Sequence, residues 1–210
     1  MECKDKCNNQ EKFDKKSMPK VKFPKFKMTV IKQQGYCYHG YKPGDEFILD
    51  DFTHPPEHFC SGIIKSAFPC LYALTFGAEF KFMENTKSIK TTCPDNGKLD
   101  FKIEVLDDDG KVIKKPQTEK PKPNPKNMEI EVDELCGHCF FGYKKGDKFK
   151  VRGLRTPDGF CGAAYSVLFP VLFALNFGAN FSFEKDSVCK TGITCPDGGN
   201  IKFKVRRVEE

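Results

Sequence analysis

The chain has no tryptophan, only four histidines, and no apolar run approaching the ~20 residues that a membrane-spanning helix needs. An integral helical membrane protein is therefore not expected. The first residues, MECKDKCNNQEKFDKK, hold no apolar stretch of the kind that directs secretion. That absence predicts a cytoplasmic, reducing setting, where a cysteine-rich chain points to metal or thiol chemistry rather than disulfides. No G-x-x-x-x-G-K-[ST], no G-x-G-x-x-G after a strand and no H-E-x-x-H occurs, so no nucleotide cofactor and no zincin chemistry is expected. A basic stripe on a folded segment is missing too, which argues against specific nucleic-acid binding.

What is present is a cysteine- and phenylalanine-rich chain of 210 residues, with 11 cysteines, 21 phenylalanines and 39% hydrophobic residues. That is enough apolar material for folded cores. The odd cysteine count also speaks against a closed disulfide framework. The net charge of +6 sits mostly outside the apolar segments. Residues 1–27 hold nine lysines against four acids, and residues 106–127 hold six against four. Solvated, flexible charge is the reading of that lysine-rich tail.

The strongest signal is internal. Residues 59–80, FCSGIIKSAFPCLYALTFGAEF, match residues 160–181, FCGAAYSVLFPVLFALNFGANF, at eleven of 22 positions without a gap. GYKPGDEF at 40–47 matches GYKKGDKF at 142–149, and CPDNGKLDFKI at 93–103 matches CPDGGNIKFKV at 195–205. Two copies at this long a period mean duplicated domains rather than a solenoid. They span 28–105 and 128–210, behind a 1–27 tail and joined by a 106–127 linker whose prolines favour an extended course.

Each copy reads as α+β: a small antiparallel sheet covered by a helical pair. Strands are expected at Met28–Ile31 and Glu46–Leu49, with a turn at Lys42-Pro43-Gly44-Asp45 between them. A helix should begin near Phe59 and Phe160. Pro69 and Pro170 suit the first position of a second, short helix, and Gly77 and Gly178 suit its end. A third strand ends at Cys93 or Cys195. A fourth alternates through Leu99, Phe101 and Ile103, or Ile201, Phe203 and Val205.

Three cysteines recur in register: Cys37 with Cys139, Cys60 with Cys161, and Cys93 with Cys195. Each falls at an element boundary, and a helix N-terminus favours the thiolate that binds metals. Cys136 adds a fourth thiol to copy two through Cys136-Gly-His138-Cys139, enough for an iron–sulfur cluster or zinc. Copy one has Gln34 there and would need His39, Cys70 or a non-protein group to complete a set. The competing reading makes all of these small core residues copied by duplication. Cys189 and the tail pair Cys3 and Cys7 have no counterparts.

The repeated motifs resemble a family. Cys37-Tyr-His-Gly-Tyr-Lys-Pro-Gly-Asp45 and Cys139-Phe-Phe-Gly-Tyr-Lys-Lys-Gly-Asp147 open each copy, followed by His58-Phe59-Cys60 or Gly159-Phe160-Cys161. Phe68-Pro69…Phe76-Gly77 or Phe169-Pro170…Phe177-Gly178 comes next, and Cys93-Pro94-Asp95 or Cys195-Pro196-Asp197 closes the pattern. Each copy is similar to small cysteine-containing proteins, about one copy long, found mainly in anaerobic bacteria and archaea and without an established function. The resemblance implies an anaerobic, cytosolic setting. Both copies carry tyrosine, Tyr41 and Tyr143, where many relatives carry histidine.

Three functions follow from the sequence. The first is a non-enzymatic, cysteine-ligated metalloprotein acting in electron transfer or as an accessory subunit, with iron–sulfur favoured over zinc. The second is a metal-free duplicated module that binds a protein partner, for which an exposed apolar patch with scattered sulfurs would speak. The third is a thiol-dependent redox enzyme, weakened because no histidine is shared in register.

Overall fold

The computed structural model describes residues 22–118 and 124–208. The tail's Cys3 and Cys7 and the centre of the linker lie outside the described residues. Each copy is a four-stranded antiparallel sheet with a helix packed on it. Copy one runs β1 (Lys25–Gln33), β2 (Glu46–Leu49), α1 (Ser61–Thr75), β3 (Ser88–Thr92) and β4 (Leu99–Leu106). Copy two runs β5 (Asn127–Leu135), β6 (Lys148–Arg152), α2 (Gly162–Asn176), β7 (Cys189–Thr194) and β8 (Ile201–Val208). The strand orders are β2-β1-β4-β3 and β6-β5-β8-β7.

Alternation builds the sheets. Phe26, Met28 and Val30 of β1 face inward beside Leu99, Phe101 and Ile103 of β4, and all are buried. Met128, Ile130 and Val132 repeat the pattern beside Ile201, Phe203 and Val205. The expected turn forms: Asp45 donates its N–H to the Lys42 carbonyl at 3.0 Å, with Gly44 at φ +96°. The Asp45 carboxylate then accepts the Lys42 N–H at 2.8 Å, and Asp147 does the same for Lys144 at 2.7 Å. One of the single-residue offsets between the copies is absorbed in β7. Its pairing with β8 shifts between Lys190 and Ile193, where Gly192 takes φ +68°.

The helices depart from expectation. The two short helices anticipated around each proline are one 15-residue helix, with Pro69 or Pro170 inside it. A proline lacks the N–H that would bond the carbonyl four residues earlier. Here those carbonyls belong to Lys65 and Ser166, both exposed residues, so water can take the place of the missing donor. The helices end as predicted, with Gly77 and Gly178 at φ +87° and +86°.

The two copies pack helix against helix around an approximate two-fold axis. Phe76 meets Phe181 at 5.1 Å between ring centroids, and its counterpart Phe177 meets Phe80 at 5.0 Å. Phe82 touches Phe177 at 5.9 Å, and Phe183 touches Phe76 at 5.6 Å. The backbone repeats the exchange. Glu79 donates its N–H to the Phe177 carbonyl at 3.1 Å, and Asn180 donates to the Phe76 carbonyl at 2.9 Å. Buried residues of both copies form one continuous core.

The start of the linker is docked onto copy one. Ile113 donates its N–H to the Val105 carbonyl, and Gln117 to that of Glu84. Asn85 holds this strap from its side chain, donating to the Ile113 carbonyl and accepting the Lys115 N–H.

Candidate functional site

The loop after β1, the N-terminus of α1 and the end of β3 meet at one end of copy one, and their counterparts meet in copy two. Cys60 and Cys161 are the N-cap residues of the helices, with extended backbone and no side-chain cap bond. The capping is done from the neighbouring loop. The Tyr41 hydroxyl accepts the Cys60 N–H at 3.2 Å, and the Tyr143 hydroxyl accepts that of Cys161 at 2.8 Å. Burial raises both phenol pKa values above the ordinary range. The donated N–H works against that rise, while Cys60 and Cys37, or Cys161 and Cys139, add to it. Lys98, whose charge is held chiefly by its hydrogen bond to Asp95, also feels Cys93 and Cys37. Cys37 thus influences both Tyr41 and Lys98, with Cys60 beside the first and Cys93 beside the second.

They do not form a metal centre. Among the described residues, no group of three or more His, Cys, Asp or Glu side chains comes together so as to hold a metal ion. This overturns the expectation of an iron–sulfur cluster or zinc on Cys136, Cys139, Cys161 and Cys195, or on Cys37, Cys60 and Cys93. The six recurring cysteines come from separate elements, and each is half-buried as part of the packing against the apolar core. The proposed fourth ligands fare no better. Cys70 is a core residue of α1, 8% exposed, and burial pushes its thiol up to about 12. His39 stands in an exposed ring stack with Tyr41, centroids 5.5 Å apart. No disulfide joins any of the described cysteines.

What the site displays instead is aromatic surface. In copy one, rings step outward from Phe59 to Tyr41 (6.0 Å), His39 (5.5 Å) and Tyr38 (5.6 Å). In copy two they step from Phe160 to Tyr143 (5.6 Å), Phe141 (5.8 Å) and Phe140 (6.0 Å). The inner rings are braced by Phe47 and Phe149 on the short strands. The outer ones are open to solvent: Tyr38 is 84% exposed, Phe140 85%, Tyr36 73% and Phe141 50%. Sequence reasoning passed over these loops because it followed their cysteines. The signal was there in Tyr-Cys-Tyr-His-Gly-Tyr beside His-Cys-Phe-Phe-Gly-Tyr, a ring at nearly every position that is not cysteine or glycine.

The tips also differ. His58, at φ +59°, occupies a left-handed position that its counterpart Gly159 takes at φ +68°. A side chain there strains the backbone, so copy one carries a histidine beside Cys60 at a cost in stability. No family model, curated protein or solved structure matches the chain. Among the described residues, no helix is long and apolar enough to cross a membrane.

Proposed function

We propose that the chain works without a metal, as a duplicated module that binds a protein partner through its two aromatic loop tips. The observation that carries this is the exposure of Tyr38 and Phe140, at equivalent positions and each more than four-fifths open. A lone exposed ring is ordinary on a soluble protein. A row of rings on one tip, repeated on a second, is the pattern of an interaction surface. Aromatic side chains are also the commonest anchors of protein interfaces. The ladder behind each tip holds the outer rings in place before a partner arrives, which lowers the ordering cost of binding. Two tips on one chain allow bivalent engagement, in which the second contact becomes intramolecular. Among the described residues the cysteines are free thiols, which supports a reducing cytoplasmic setting.

The test combines Tyr38→Ser with Phe140→Ser. Native co-purification, then calorimetry with the recovered partner, should show a stoichiometric complex for the parent chain and none for the double variant. Melting temperatures should agree, since both rings stand outside the core. Equal binding by the double variant would refute the reading. So would stoichiometric iron or zinc in anaerobically purified protein.

A further inference from the structure

A second surface lies between the two helices, near the pseudo-two-fold axis. The N-terminal halves of α1 and α2 enclose an open groove of about 800 Å³, within the size range of small-molecule sites. Ile64, Phe68 and Pro69 form one apolar wall, and Val167, Phe169 and Pro170 form the other. The duplication repeats the Phe-Pro pair in each wall, while Val167 stands where α1 has Ser66. It does not make the polar end alike. Ser61 and Lys65 line the groove from α1, one turn apart on a single face, where α2 has Gly162 and Ser166.

That asymmetry gives the groove a direction. Lys65 is exposed and takes part in no ion pair among the described residues. No acidic residue lines the groove, and neither helix has one in its first turn. The positive end of α1 therefore adds to the lysine charge. The remaining hydroxyls are committed elsewhere: Ser66 donates to the Ile63 carbonyl at 3.1 Å and Ser166 to the Ala163 carbonyl at 2.8 Å. One cation stands at one end. Beyond it the walls have no free side-chain donor to give.

We propose that the groove binds a single-headed anionic amphiphile, a long-chain carboxylate, with its head at Ser61 and Lys65 and its chain between the paired phenylalanines and prolines. An acyl chain asks for no hydrogen bonds, which suits apolar walls whose serine hydroxyls already donate to their own helices. An acidic partner helix would bring polar groups along both flanks and meet only one cation.

The test titrates the full chain with dodecanoate below its micelle concentration, by calorimetry and by displacement of a fluorescent fatty acid. One saturable site is expected, weakened by shortening the chain to octanoate. Lys65→Glu should weaken binding about tenfold by replacing attraction with repulsion at an exposed site, while Lys65→Arg should retain it. Phe169→Ser, on the opposite wall, should also weaken binding while the protein stays folded. Absence of saturable binding, or unchanged affinity in Lys65→Glu, would overturn the proposal. Binding to anionic vesicles without binding to monomeric dodecanoate would overturn it in favour of a membrane surface. Displacement by an acidic amphipathic peptide at lower concentration than dodecanoate would give the groove to a protein instead.

Discussion

Truncating Phe177 to alanine tests whether the two copies stand or fall together. The ring, at the C-cap of α2, packs on Phe173 of that helix, at 4.8 Å, and on Phe80 and Phe82 of the other copy. A fully buried phenylalanine replaced by alanine costs about 3–5 kcal/mol. Phe177 is partly buried, so about 2–3 kcal/mol is the reasonable share. For a chain of this size each kcal/mol lowers the melting temperature by about 2–4 °C, which gives a fall of about 4–12 °C. The decisive quantity is the shape of the transition in differential scanning calorimetry. Because Phe177 is wedged into copy one, the whole transition should move down as a single peak. Phe76→Ala, its counterpart, should produce a fall of similar size. Two separable peaks, with the copy-one peak unmoved by Phe177→Ala, would refute the idea of a shared core.

Other outcomes follow from the same geometry. His58→Gly should raise stability by about 0.5–1 kcal/mol by relieving a left-handed backbone, and Gly159→His should lower it by a similar amount, both read from urea midpoints. Glu184, which accepts Lys190 Nζ at 2.9 Å and the Thr191 N–H at 3.1 Å, loses some charge stabilisation to burial. Its hydrogen bonds outweigh that loss and hold the carboxyl below the usual range. With a depressed folded-state pKa, its contribution is present above the ordinary carboxylate range and lost as pH falls through the folded value. Glu184→Gln should therefore be less stable than the parent by about 1–2 kcal/mol near pH 7, and the gap should narrow as pH falls through the depressed value of the folded carboxyl. Alkylation of the native protein at pH 8 should modify the six recurring cysteines and spare Cys70 and Cys189, whose thiols burial pushes up. Rapid labelling of Cys70 by mass spectrometry would contradict its place in the core.

Much of the fold was legible because duplication writes each constraint twice. Gly44 and Gly146, Gly77 and Gly178, and the alternating Leu99-x-Phe101-x-Ile103 with its partner strand are local rules, and local rules survive in sequence. The prolines were legible as interruptions, but not as interruptions a helix tolerates. Whether Pro69 ends a helix depends on whether the Lys65 carbonyl reaches water, and that is settled only by which face the core covers. The cysteines misled for a related reason. Element boundaries can be read along a chain, whereas metal binding needs sulfurs to converge in space, and no spacing rule links Cys37, Cys60 and Cys93. Phe76, Phe80 and Phe82 could be read as apolar but not as a seam, since nothing local distinguishes a ring facing its own sheet from one facing the other copy.

The reciprocal bonds between Glu79 and Phe177 and between Asn180 and Phe76 are those that two separate, identical copies would make as a symmetric dimer. Copy one of one molecule is therefore a template for copy two of another. At high concentration, or after heating and slow cooling, two chains should be able to trade halves and close as an exchanged dimer with every seam contact intact. What disfavours that product is the tether: residues 106–127 keep the native half nearby at an effective concentration that a free neighbour must exceed. Cutting the tether would leave the seam in place and turn its strength into a measurable association between two fragments.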